Sequence, residues 1–458
     1  MKVPGHIFRE YDIRGLHETE LTDAVAEAVG RAFGTLVAES GGRRVALGQD
    51  VRPSSPRLAG GVERGILASG LAVERVGVVP TPALYYAVAA RTLDGGLQVT
   101  GSHNPPEFNG FKMTRGAAPL FGAEILEMRE RIEHGRLRSG GGGAAADRPV
   151  LDEYRAMLID RLKSPRRLRV VMDCGNGCAG TVVPQVFEAL GHTVTALFAE
   201  LDGRFPNHLP DPTVPALMGD LIAAVRGEGA DLGIGFDGDA DRIGAVDGRG
   251  RMVFGDQILA LLARDVLTRV PGAEIIFDVK CSQGLSEDIT AHGGRPSMWK
   301  TGHSLIKSQL LKTGAPLAGE MSGHMYFSEG YFGFDDALFA AGRLLRYVAA
   351  SGRSFAELVD SIPHYHATPE TRLACPEERK FAIVEELKRG FEARYRVIGI
   401  DGARVEFGDG WGLVRASNTQ PALVVRFEAR TPERLEEIRS LFMESLKRLG
   451  VGEASVGH

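Results

Sequence analysis

The chain has 458 residues, more than one hydrophobic core usually serves, so its length predicts three or four domains. Its 54 Lys and Arg against 59 Asp and Glu give a net charge of −5, so nothing indicates nucleic acid or an anionic membrane as a partner. No apolar run approaches the ~20 residues of a membrane span, and no apolar signal segment follows Met1–His6, so we expect a cytoplasmic protein.

Three stretches of the chain share one order of elements: a β-branched apolar run, a loop with Gly or Ser, and a helix-like pattern. In chain order they are strand 45–50 with helix 57–69; strand 168–173 with helix 181–190 and strand 192–197; and strand 274–279 with helix 284–291. Each is a βα or βαβ unit of the kind that builds layered α/β domains. We therefore expect three related three-layer α/β domains.

The last part of the chain has a different pattern. Its predicted elements are helix 376–395, strands 404–407, 412–415 and 422–428, and helix 432–449. They indicate a smaller C-terminal α+β domain. Composition marks the boundaries, because the glycine-rich stretch 135–149 indicates a flexible linker. The predicted domains are 1–147, 148–251, 252–363 and 364–458.

A serine follows the predicted strand 96–100, in the run TGSHNPP (100–106). The glycine before Ser102 and the prolines after it restrict the backbone of this loop. Serine is a weak nucleophile until a base or a metal activates it. His103 and Lys112 are neighbouring candidates for a donor or a base. On its own, the run also fits a polar turn.

Three carboxylates alternate with small residues in GFDGDADR (235–242), directly after an apolar run. Asp237, Asp239 and Asp241 can turn onto one ion at the end of a strand. Hard oxygen ligands select Mg²⁺, Mn²⁺ or Ca²⁺. Because Mg²⁺ commonly leaves coordination positions for phosphate oxygens, a phosphorylated Ser102 could complete the shell. We interpret this run as a metal site rather than an acidic surface turn.

Two further loops carry polar groups suited to a sugar phosphate. GEMSGH (319–324) offers a carboxylate that can accept from two neighbouring hydroxyls. RASNTQP (415–421), between two predicted strands, offers a guanidinium, hydroxyls, an amide and turn N–H groups that can hold a phosphate dianion. Either loop alone would be a weak signal, since a polar hairpin has the same composition.

The run CGNGCAG (174–180) has the glycine spacing of a dinucleotide-binding loop, between a predicted strand and a predicted helix. The same glycines also serve close packing of helix on strand, and we favour packing because no other segment indicates hydride chemistry. The cysteines are too few and too scattered for a disulfide framework, and we expect buried thiols. They are Cys174, Cys178, Cys281 and Cys375.

Taken together, these runs resemble the α-D-phosphohexomutases, most closely the phosphomannomutase/phosphoglucomutase branch. The resemblance extends over nearly the whole chain. The matching runs are FREYDIRG (8–15), TGSHNPP (100–106), GFKM (110–113), CGNGCAG (174–180), GFDGDADR (235–242), DVKCSQ (278–283), WKTGHSLIK (299–307), GEMSGH (319–324) and RASNTQP (415–421).

The resemblance implies a four-domain protein around a central cleft, with one loop from each domain. It implies that Ser102 is a phosphoserine and that Asp237, Asp239 and Asp241 hold one Mg²⁺ together with Ser102. The implied catalytic residues are Ser102, Lys112, His303, His103 and Arg242. The implied substrate-binding residues are Tyr11, Arg14, Lys280, Glu320, Ser322, His324, Arg415, Ser417, Asn418 and Thr419.

The implied reaction interconverts hexose 1-phosphates and hexose 6-phosphates through a hexose 1,6-bisphosphate, which also acts as activator. Either Lys112 or His303 is a candidate for moving the proton, and a lysine in that role would need a lowered pKa. Relatives that act on glucosamine phosphate typically carry GEQSGH, so Met321 favours mannose and glucose phosphates. We expect a monomer or a dimer.

Three alternatives stay open on the residues. The enzyme could be a phosphoglucosamine mutase, or a Mg²⁺-dependent phosphatase with Asp237 as its nucleophile. The third is a sugar-phosphate-binding module without chemistry. The intact Ser102 and the three aspartates argue against a binding module, since binding alone does not need them.

Overall fold

The structure is a computed structural model that describes residues 1–417 and 421–452. Within these residues the strands form four sheets, each covered by helices. No helix of this part of the chain is long and apolar enough to cross a membrane. The architecture confirms the predicted fold class, with three α/β domains followed by a C-terminal domain of different topology.

The first sheet has the strand order β1-β5-β4-β2-β3-β7, with β6 beside β5. Its strands are β1 (Ile13–Leu16), β2 (Arg44–Gln49), β3 (Ala72–Val78), β4 (Gly95–Val99), β5 (Phe108–Arg115), β6 (Ala118–Pro119) and β7 (Ala145–Asp147). Its helices are α1 (Asp23–Glu39), α2 (Ser55–Ala68), α3 (Thr81–Ala90) and α4 (Ala123–Glu133). Strands β2, β3 and β4 are parallel, whereas β5 runs antiparallel to both β4 and β1.

The stretch 135–149 is not the flexible linker that its glycines predict. Strand β7 lies inside it and pairs with β3 in parallel register. Gly140 and Gly143 pack where a side chain would not fit, since a Cβ at Gly143 would lie 2.5 Å from the Leu71 carbonyl oxygen. Gly140 and Gly143 therefore serve close contact with α2 and the turn before β3 rather than flexibility.

The second sheet has the order β12-β11-β10-β8-β9. Its strands are β8 (Arg169–Asp173), β9 (Thr193–Leu197), β10 (Leu232–Phe236), β11 (Ile243–Asp247) and β12 (Met252–Val253). Its helices are α5 (Leu151–Arg161), α6 (Val183–Ala189) and α7 (Gly219–Glu228). Strand β12 pairs with β11, so this sheet extends past residue 251, where we predict the second domain to end.

The third sheet has the order β14-β13-β15-β16. Helix α8 (Gly255–Leu267) comes before its strands, which are β13 (Glu274–Asp278), β14 (Arg295–Trp299), β15 (Leu317–Gly319) and β16 (Met325–Phe327). The other helices are α9 (Gln283–Ala291), α10 (His303–Thr313), α11 (Ala337–Ser351) and α12 (Phe355–Asp360). One residue separates the start of helix α8 from the end of β12.

The fourth sheet has the order β17-β22-β21-β20-β19, with β18 beside β22, and the pairs along this path are antiparallel. Its strands are β17 (His366–Ala367), β18 (Thr371–Ala374), β19 (Arg396–Ile398), β20 (Ala403–Glu406), β21 (Gly410–Ala416) and β22 (Ala422–Ala429). Helices α13 (Lys380–Glu392) and α14 (Pro432–Arg448) cover it. This is the predicted α+β unit.

The buried apolar side chains divide the molecule differently from the sheets. One continuous core joins the second and third sheets and includes side chains of α3 from the first domain. The rest of the first domain and the fourth domain have cores of their own. The fourth domain therefore shares little apolar packing with the rest of the described chain.

Candidate active site

A cavity of about 1300 Å³ lies where loops from the four domains meet. Three of these loops follow the carboxyl ends of β4, β10 and β15, strands that pair in parallel with a neighbour, which is where α/β sheets place their ligands. The predicted site residues that line the cavity are Tyr11, Arg14, Ser102, His103, Lys112, Arg242, Lys280, His303, Glu320, Ser322, His324, Arg415 and Ser417. Asn418 and Thr419 lie outside the described residues.

Ser102 lies between β4 and β5 and adopts a left-handed backbone conformation, with φ +50°. Such a conformation costs a non-glycine residue ~1–3 kcal/mol, so the surrounding contacts must hold it. Its Oγ donates to Asp237 Oδ2 at 2.7 Å and lies 3.1 Å from His103 Nδ1. The loop of the first domain therefore presents its hydroxyl directly to the acidic loop of the second.

The three predicted metal ligands follow β10, and Asp237, Asp239 and Asp241 are all fully buried. One carboxylate oxygen from each lies within 4.8 Å of the other two. Among residues 1–417 and 421–452, Oδ1 of Asp239 and Oδ1 of Asp241 have no hydrogen-bond partner. Unpaired buried carboxylate oxygens are costly unless a cation takes them. The donor set therefore fits a hard divalent cation.

The pKa of Asp237 also indicates a cation site at this cluster. Burial raises the pKa of Asp237 well above its usual range, and repulsion from Asp241 and Asp239 raises it further. A bound cation would oppose both effects. Asp241, His324 and Asp335 form a second group of close ligand atoms, but there Lys307 Nζ, 2.6 Å from Asp335, already supplies a positive charge.

Lys112 extends from β5 into the acidic cluster, where its ammonium donates to Asp239 at 2.8 Å and to Asp241. Burial disfavours the charged ammonium, but the attraction of Asp239 and Asp241 outweighs burial and raises the pKa of Lys112 above its ordinary value. The lowered pKa that a lysine base would need is therefore not found in this arrangement. The geometry favours Lys112 as a fixed positive charge beside the acidic cluster.

Two imidazoles stack beside the cluster, with the ring centroids of His303 and His324 5.6 Å apart. Burial lowers the pKa of His303 well below its usual range, so this ring is neutral near pH 7 and can accept a proton. His324 Nε2 accepts from Arg242 Nε at 3.0 Å, and its Nδ1 lies 3.3 Å from Asp335. Burial also lowers the pKa of His103 well below its usual range.

Glu320 follows β15 and is held before any ligand arrives. The Gly302 N–H donates to its Oε1 at 2.8 Å, and the Tyr326 hydroxyl donates to its Oε2 at 2.8 Å. Each oxygen keeps a lone pair for a further donor. Ser322 lines the cavity from the same loop. This arrangement suits the recognition of neighbouring sugar hydroxyls.

A second group of cations lies toward the fourth domain. Arg415 Nε, on β21, donates to Asp401 at 3.1 Å, and Lys280 Nζ, from the loop after β13, donates to Glu370 at 3.1 Å. Burial alone would raise the pKa of Glu370, but the charges of Lys280 and Arg372 and the hydrogen bond from Lys280 together outweigh burial and lower that pKa to about 2. The cavity thus offers positive charge at this side as well as beside the acidic cluster.

The segment before β1 brings the first domain against the third. The Tyr11 hydroxyl donates to the Thr301 carbonyl at 2.8 Å, and Arg14 donates to Asp12 at 2.6 Å. Gly302 must be glycine here, because its φ is +134° and a Cβ would lie 2.4 Å from the Tyr11 ring.

Several residues around the site were not predicted from sequence. Arg52, Tyr326, Asp335, Asp401 and Glu370 each hold a predicted residue or its loop in place. The signal for Arg52 was its place directly after the strand predicted at 45–50. The other four lie outside the runs that carry chemistry, and the fold rather than a motif brings them to their partners.

The glycine-rich run after β8 packs against protein. A Cβ at Gly177 would lie 2.7 Å from the Gly238 carbonyl oxygen, and a Cβ at Gly180 would lie 2.1 Å from the Ala199 carbonyl oxygen. Protein backbone thus lies against these glycines, as the packing interpretation expects. The four cysteines are free and buried, as expected.

Comparisons with known proteins give one consistent result. Models of the phosphoglucomutase/phosphomannomutase domains match in order: alpha/beta/alpha domain I over residues 5–138, domain II over 152–250, domain III over 254–365 and the C-terminal domain over 370–445. The phosphomannomutase/phosphoglucomutase of Pseudomonas aeruginosa is 47% identical over 448 residues, covering 97% of this chain and 96% of that protein.

Two further relatives agree. The phosphoglucomutase of Neisseria gonorrhoeae is 45% identical over 440 residues, covering 95% of each chain. The crystal structure of a phosphoglucomutase/phosphomannomutase family protein from Burkholderia thailandensis has a TM-score of 0.94 and 41% identity, covering 99% of each chain.

Proposed function

This chain belongs to the phosphoglucomutase/phosphomannomutase family, and on that premise we propose that it interconverts the 1- and 6-phosphates of mannose and glucose through a phosphorylated Ser102. It is an isomerase of hexose phosphates. The observation that carries the serine route is the 2.7 Å hydrogen bond from Ser102 Oγ to Asp237 in the buried acidic cluster. A hydroxyl held there lies beside the charges that a transferring phosphoryl group needs.

The cation that fits the cluster is Mg²⁺, one per chain, held by Asp237, Asp239, Asp241 and an oxygen of Ser102 or its phosphate. Oxygen donors and phosphate chemistry favour Mg²⁺ over softer metals. When bound, it would neutralise negative charge on the phosphoryl oxygens. Lys112 and Arg242 contribute fixed positive charge beside the same loop.

The proposed transfer begins with a phosphorylated Ser102 and a hexose monophosphate in the cavity. The free sugar hydroxyl attacks phosphorus, so an O–P bond to the sugar forms as the bond to Ser102 Oγ breaks. The proton of that hydroxyl passes to a base, for which His303 is our choice because burial keeps its imidazole neutral. Lys112 stays protonated and stabilises the developing charge.

The product of this step is a hexose 1,6-bisphosphate, which then presents its other phosphate to Ser102. In the return transfer Ser102 Oγ attacks that phosphorus, the bond from phosphorus to the sugar oxygen breaks, and this oxygen takes the proton back from the base. The phosphoserine is thereby restored and the isomeric monophosphate is released. Arg415, Lys280 and Ser417, with Asn418 and Thr419 from the same loop, would hold whichever phosphate is not reacting. Tyr11, Arg14 and His324 complete the lining, while Glu320 and Ser322 hold the sugar hydroxyls.

Mannose and glucose phosphates are preferred over glucosamine phosphate on the identity of Met321, whose side chain cannot donate to or accept strongly from an amino group. Glucosamine phosphate therefore stays the alternative substrate. The Mg²⁺ phosphatase alternative needs Asp237 as its nucleophile. It is disfavoured because Asp237 accepts a hydrogen bond from the Ser102 hydroxyl, as a partner of the serine would. The predicted cytoplasmic location, the four domain boundaries and a monomeric or dimeric state stay predictions.

The experiment that tests the serine route is intact-protein mass spectrometry with peptide mapping. We expect a phosphate on Ser102 that disappears on incubation with a hexose monophosphate and returns with glucose 1,6-bisphosphate. Transfer should stop under a chelator and resume with Mg²⁺. Ser102→Ala should lose nearly all mutase activity. A protein never phosphorylated at Ser102, or an active Ser102→Ala variant that releases inorganic phosphate, would contradict the proposal.

A further inference from the structure

The guanidinium of Arg52, in the loop between β2 and α2, is bound to the backbone of the serine loop. It donates to the carbonyl oxygens of Ser102 at 2.8 Å, Asn104 at 2.5 Å, Pro105 at 2.6 Å and Phe108 at 3.0 Å. Arg52 is only 1% exposed. One buried side chain thus fixes four carbonyl groups of the loop that carries the phosphoryl acceptor.

Asp50 holds the same loop through a backbone N–H group rather than through carbonyl groups. Its Oδ2 accepts from the Gly101 N–H at 3.0 Å and from Arg52 Nε at 3.1 Å. Its Oδ1 accepts from Ser55 Oγ at 2.5 Å and from the Arg52 N–H at 3.0 Å. Gly101 leaves room for this arrangement, because a Cβ there would lie 2.4 Å from Arg52 Cζ. The Asp50–Arg52 pair therefore binds both a backbone N–H group and backbone carbonyl groups of the serine loop.

The second domain, which carries the acidic cluster, also packs on Arg52. The Arg52 guanidinium lies 5.0 Å from the centroid of the Phe205 ring. A Cβ at Gly203 would lie 2.4 Å from Arg52 Cα, so the two backbones are in close contact. The serine loop and the second domain, which bears the three aspartates, therefore both contact Arg52.

Arg52 does not line the cavity formed by residues 1–417 and 421–452, and its guanidinium donors are occupied by the loop and by Asp50. It therefore acts on substrate only through Ser102. The Ser102 backbone is left-handed, a conformation that relaxes unless neighbouring contacts hold it. The bond to the Ser102 carbonyl is the contact that most directly prevents this relaxation.

We propose that Arg52 is a positioning residue for phosphoryl transfer, which keeps Ser102 Oγ directed at the acidic cluster whether or not it carries a phosphoryl group. The inference rests on the proposed role of Ser102. A phosphate dianion on Ser102 would be drawn toward Lys112 and Arg242, and the four bonds of Arg52 oppose the resulting shift of the loop. Without them the phosphorus would leave the line of attack, where a displacement of ~1 Å lowers the rate by about 100-fold.

The test is the rate at which glucose 1,6-bisphosphate phosphorylates Ser102, followed by intact-protein mass spectrometry in the full-length enzyme. For Arg52→Met we expect this rate and kcat to fall by about 100-fold, with KM for glucose 1-phosphate within about threefold of wild type. Arg52→Lys, whose ammonium can reach fewer carbonyls, should fall in between. Methylguanidinium should restore part of the activity of Arg52→Ala.

The matched control is Arg264→Met. Arg264 is a buried arginine of the third domain that pairs with Asp288 and Ser361, away from the serine loop. It should lower thermal stability while leaving the phosphorylation rate per folded molecule within about threefold. If Arg52→Met fails to fold, Arg52→Lys and its rate decide the question.

The outcomes separate this inference from the proposed function. If wild-type Ser102 is never phosphorylated, the proposed function fails. If wild type is phosphorylated but folded Arg52→Met or Arg52→Lys is phosphorylated equally fast, only the inference about Arg52 is overturned. A rise in KM with an unchanged phosphorylation rate also overturns it.

Discussion

Glu320 is held from two sides by Gly302 and Tyr326, and its charge state depends on them. Burial raises the pKa of Glu320 above its usual range, while the nearby His324 and the two hydrogen bonds oppose that rise because they stabilise the carboxylate. A sugar hydroxyl needs the ionised form as its acceptor. On the proposed role of Glu320, we expect Tyr326 to affect substrate recognition although it does not line the cavity among the described residues.

Tyr326→Phe should raise KM for the hexose phosphates by roughly tenfold, because a hydrogen bond to a charged group is worth ~1.5–3 kcal/mol. Losing this donor raises the pKa of Glu320 further, so the protonated fraction grows as the pH falls. The increase in KM should therefore be larger at about pH 6 than at about pH 8, while the rate of Ser102 phosphorylation changes little. Steady-state kinetics across this range measure both effects.

Tyr154→Phe is the control for this change. Tyr154 is also buried and donates its hydroxyl to a buried carboxylate, Asp336, at 2.7 Å, but it lies away from the cavity. It should leave KM unchanged at every pH. An equal rise of KM in both variants, or a pH-independent rise in Tyr326→Phe, would contradict the role of Glu320.

Elements that the chain encodes locally were predicted closely. The strands predicted at 168–173 and 274–279 are Arg169–Asp173 and Glu274–Asp278 in the structure, because β-branched apolar runs bounded by glycine specify buried parallel strands. The stretch 135–149 was predicted wrongly, since its strand β7 exists only through pairing with β3. Glycine-rich composition does not reveal such distant partners.

The same division applies to the site. Ser102 and the aspartates stand in short runs whose spacing carries the chemistry, so the sequence predicts them. Arg52 was missed because its partner, the Ser102 carbonyl, is 50 residues away. Asp335 was missed because it reaches His324 only where the chain after β16 folds back beside that strand. Residues that support a site are set by tertiary contacts, and a single sequence does not contain those.

Helix α11 begins at a carboxylate that is buried rather than solvated. Asp336 caps the helix by accepting from the Phe339 N–H at 2.8 Å, and it also accepts from the hydroxyls of Tyr154 and Tyr331. Burial outweighs these hydrogen bonds and raises the pKa of Asp336 to about 6. The native state therefore holds a proton here between about pH 4 and about pH 6, where the unfolded chain does not.

Asp336→Asn should remove this contribution to stability. Because the folded pKa is the higher one, the contribution is complete below the unfolded pKa and is lost as the pH rises through about 6. The wild type should gain up to ~3 kcal/mol relative to the variant between about pH 7 and about pH 4. Thermal melts across this range measure the difference.

The control for the helix is Asp23→Asn, which changes an exposed carboxylate in the first turn of α1. Its melting temperature relative to wild type should not follow the same pH course. A difference between wild type and Asp336→Asn that stays constant from about pH 7 to about pH 4 would show that Asp336 is ionised in the native state.

The fourth domain is attached to the third mainly by polar contacts. The small apolar cluster at this junction consists of Val279, Trp411 and Leu413. Arg404 donates to the carbonyls of Val279 and Cys281 at 2.7 and 2.8 Å, and Arg426 donates to that of Lys280. Consecutive carbonyls of the loop after β13 are therefore bound by the fourth domain.

The attachment also bears on the phosphate site that we propose around Arg415 and Lys280. Lys280 belongs to the third domain, but its loop is held by the same sheet that carries Arg415. We therefore expect Lys280 and Arg415 to move together if the fourth domain rotates. A bisphosphate that turns over in the cavity would then meet an intact set of phosphate donors on either side of such a motion.

Arg404→Met should loosen the loop that carries Lys280 from the sheet that carries Arg415. The substitution keeps the bulk over Trp411, 3.9 Å from the Arg404 guanidinium, but removes the donors to the loop. We expect amides of 279–283 to exchange hydrogen at least tenfold faster. KM for hexose phosphates should rise by about tenfold, with little change in Ser102 phosphorylation.

The control is Arg396→Met, which changes an exposed arginine on β19 of the same sheet and should alter neither the exchange nor KM. Unchanged exchange in 279–283 would show that the loop keeps its position without the fourth domain, and that Lys280 belongs mechanically to the third.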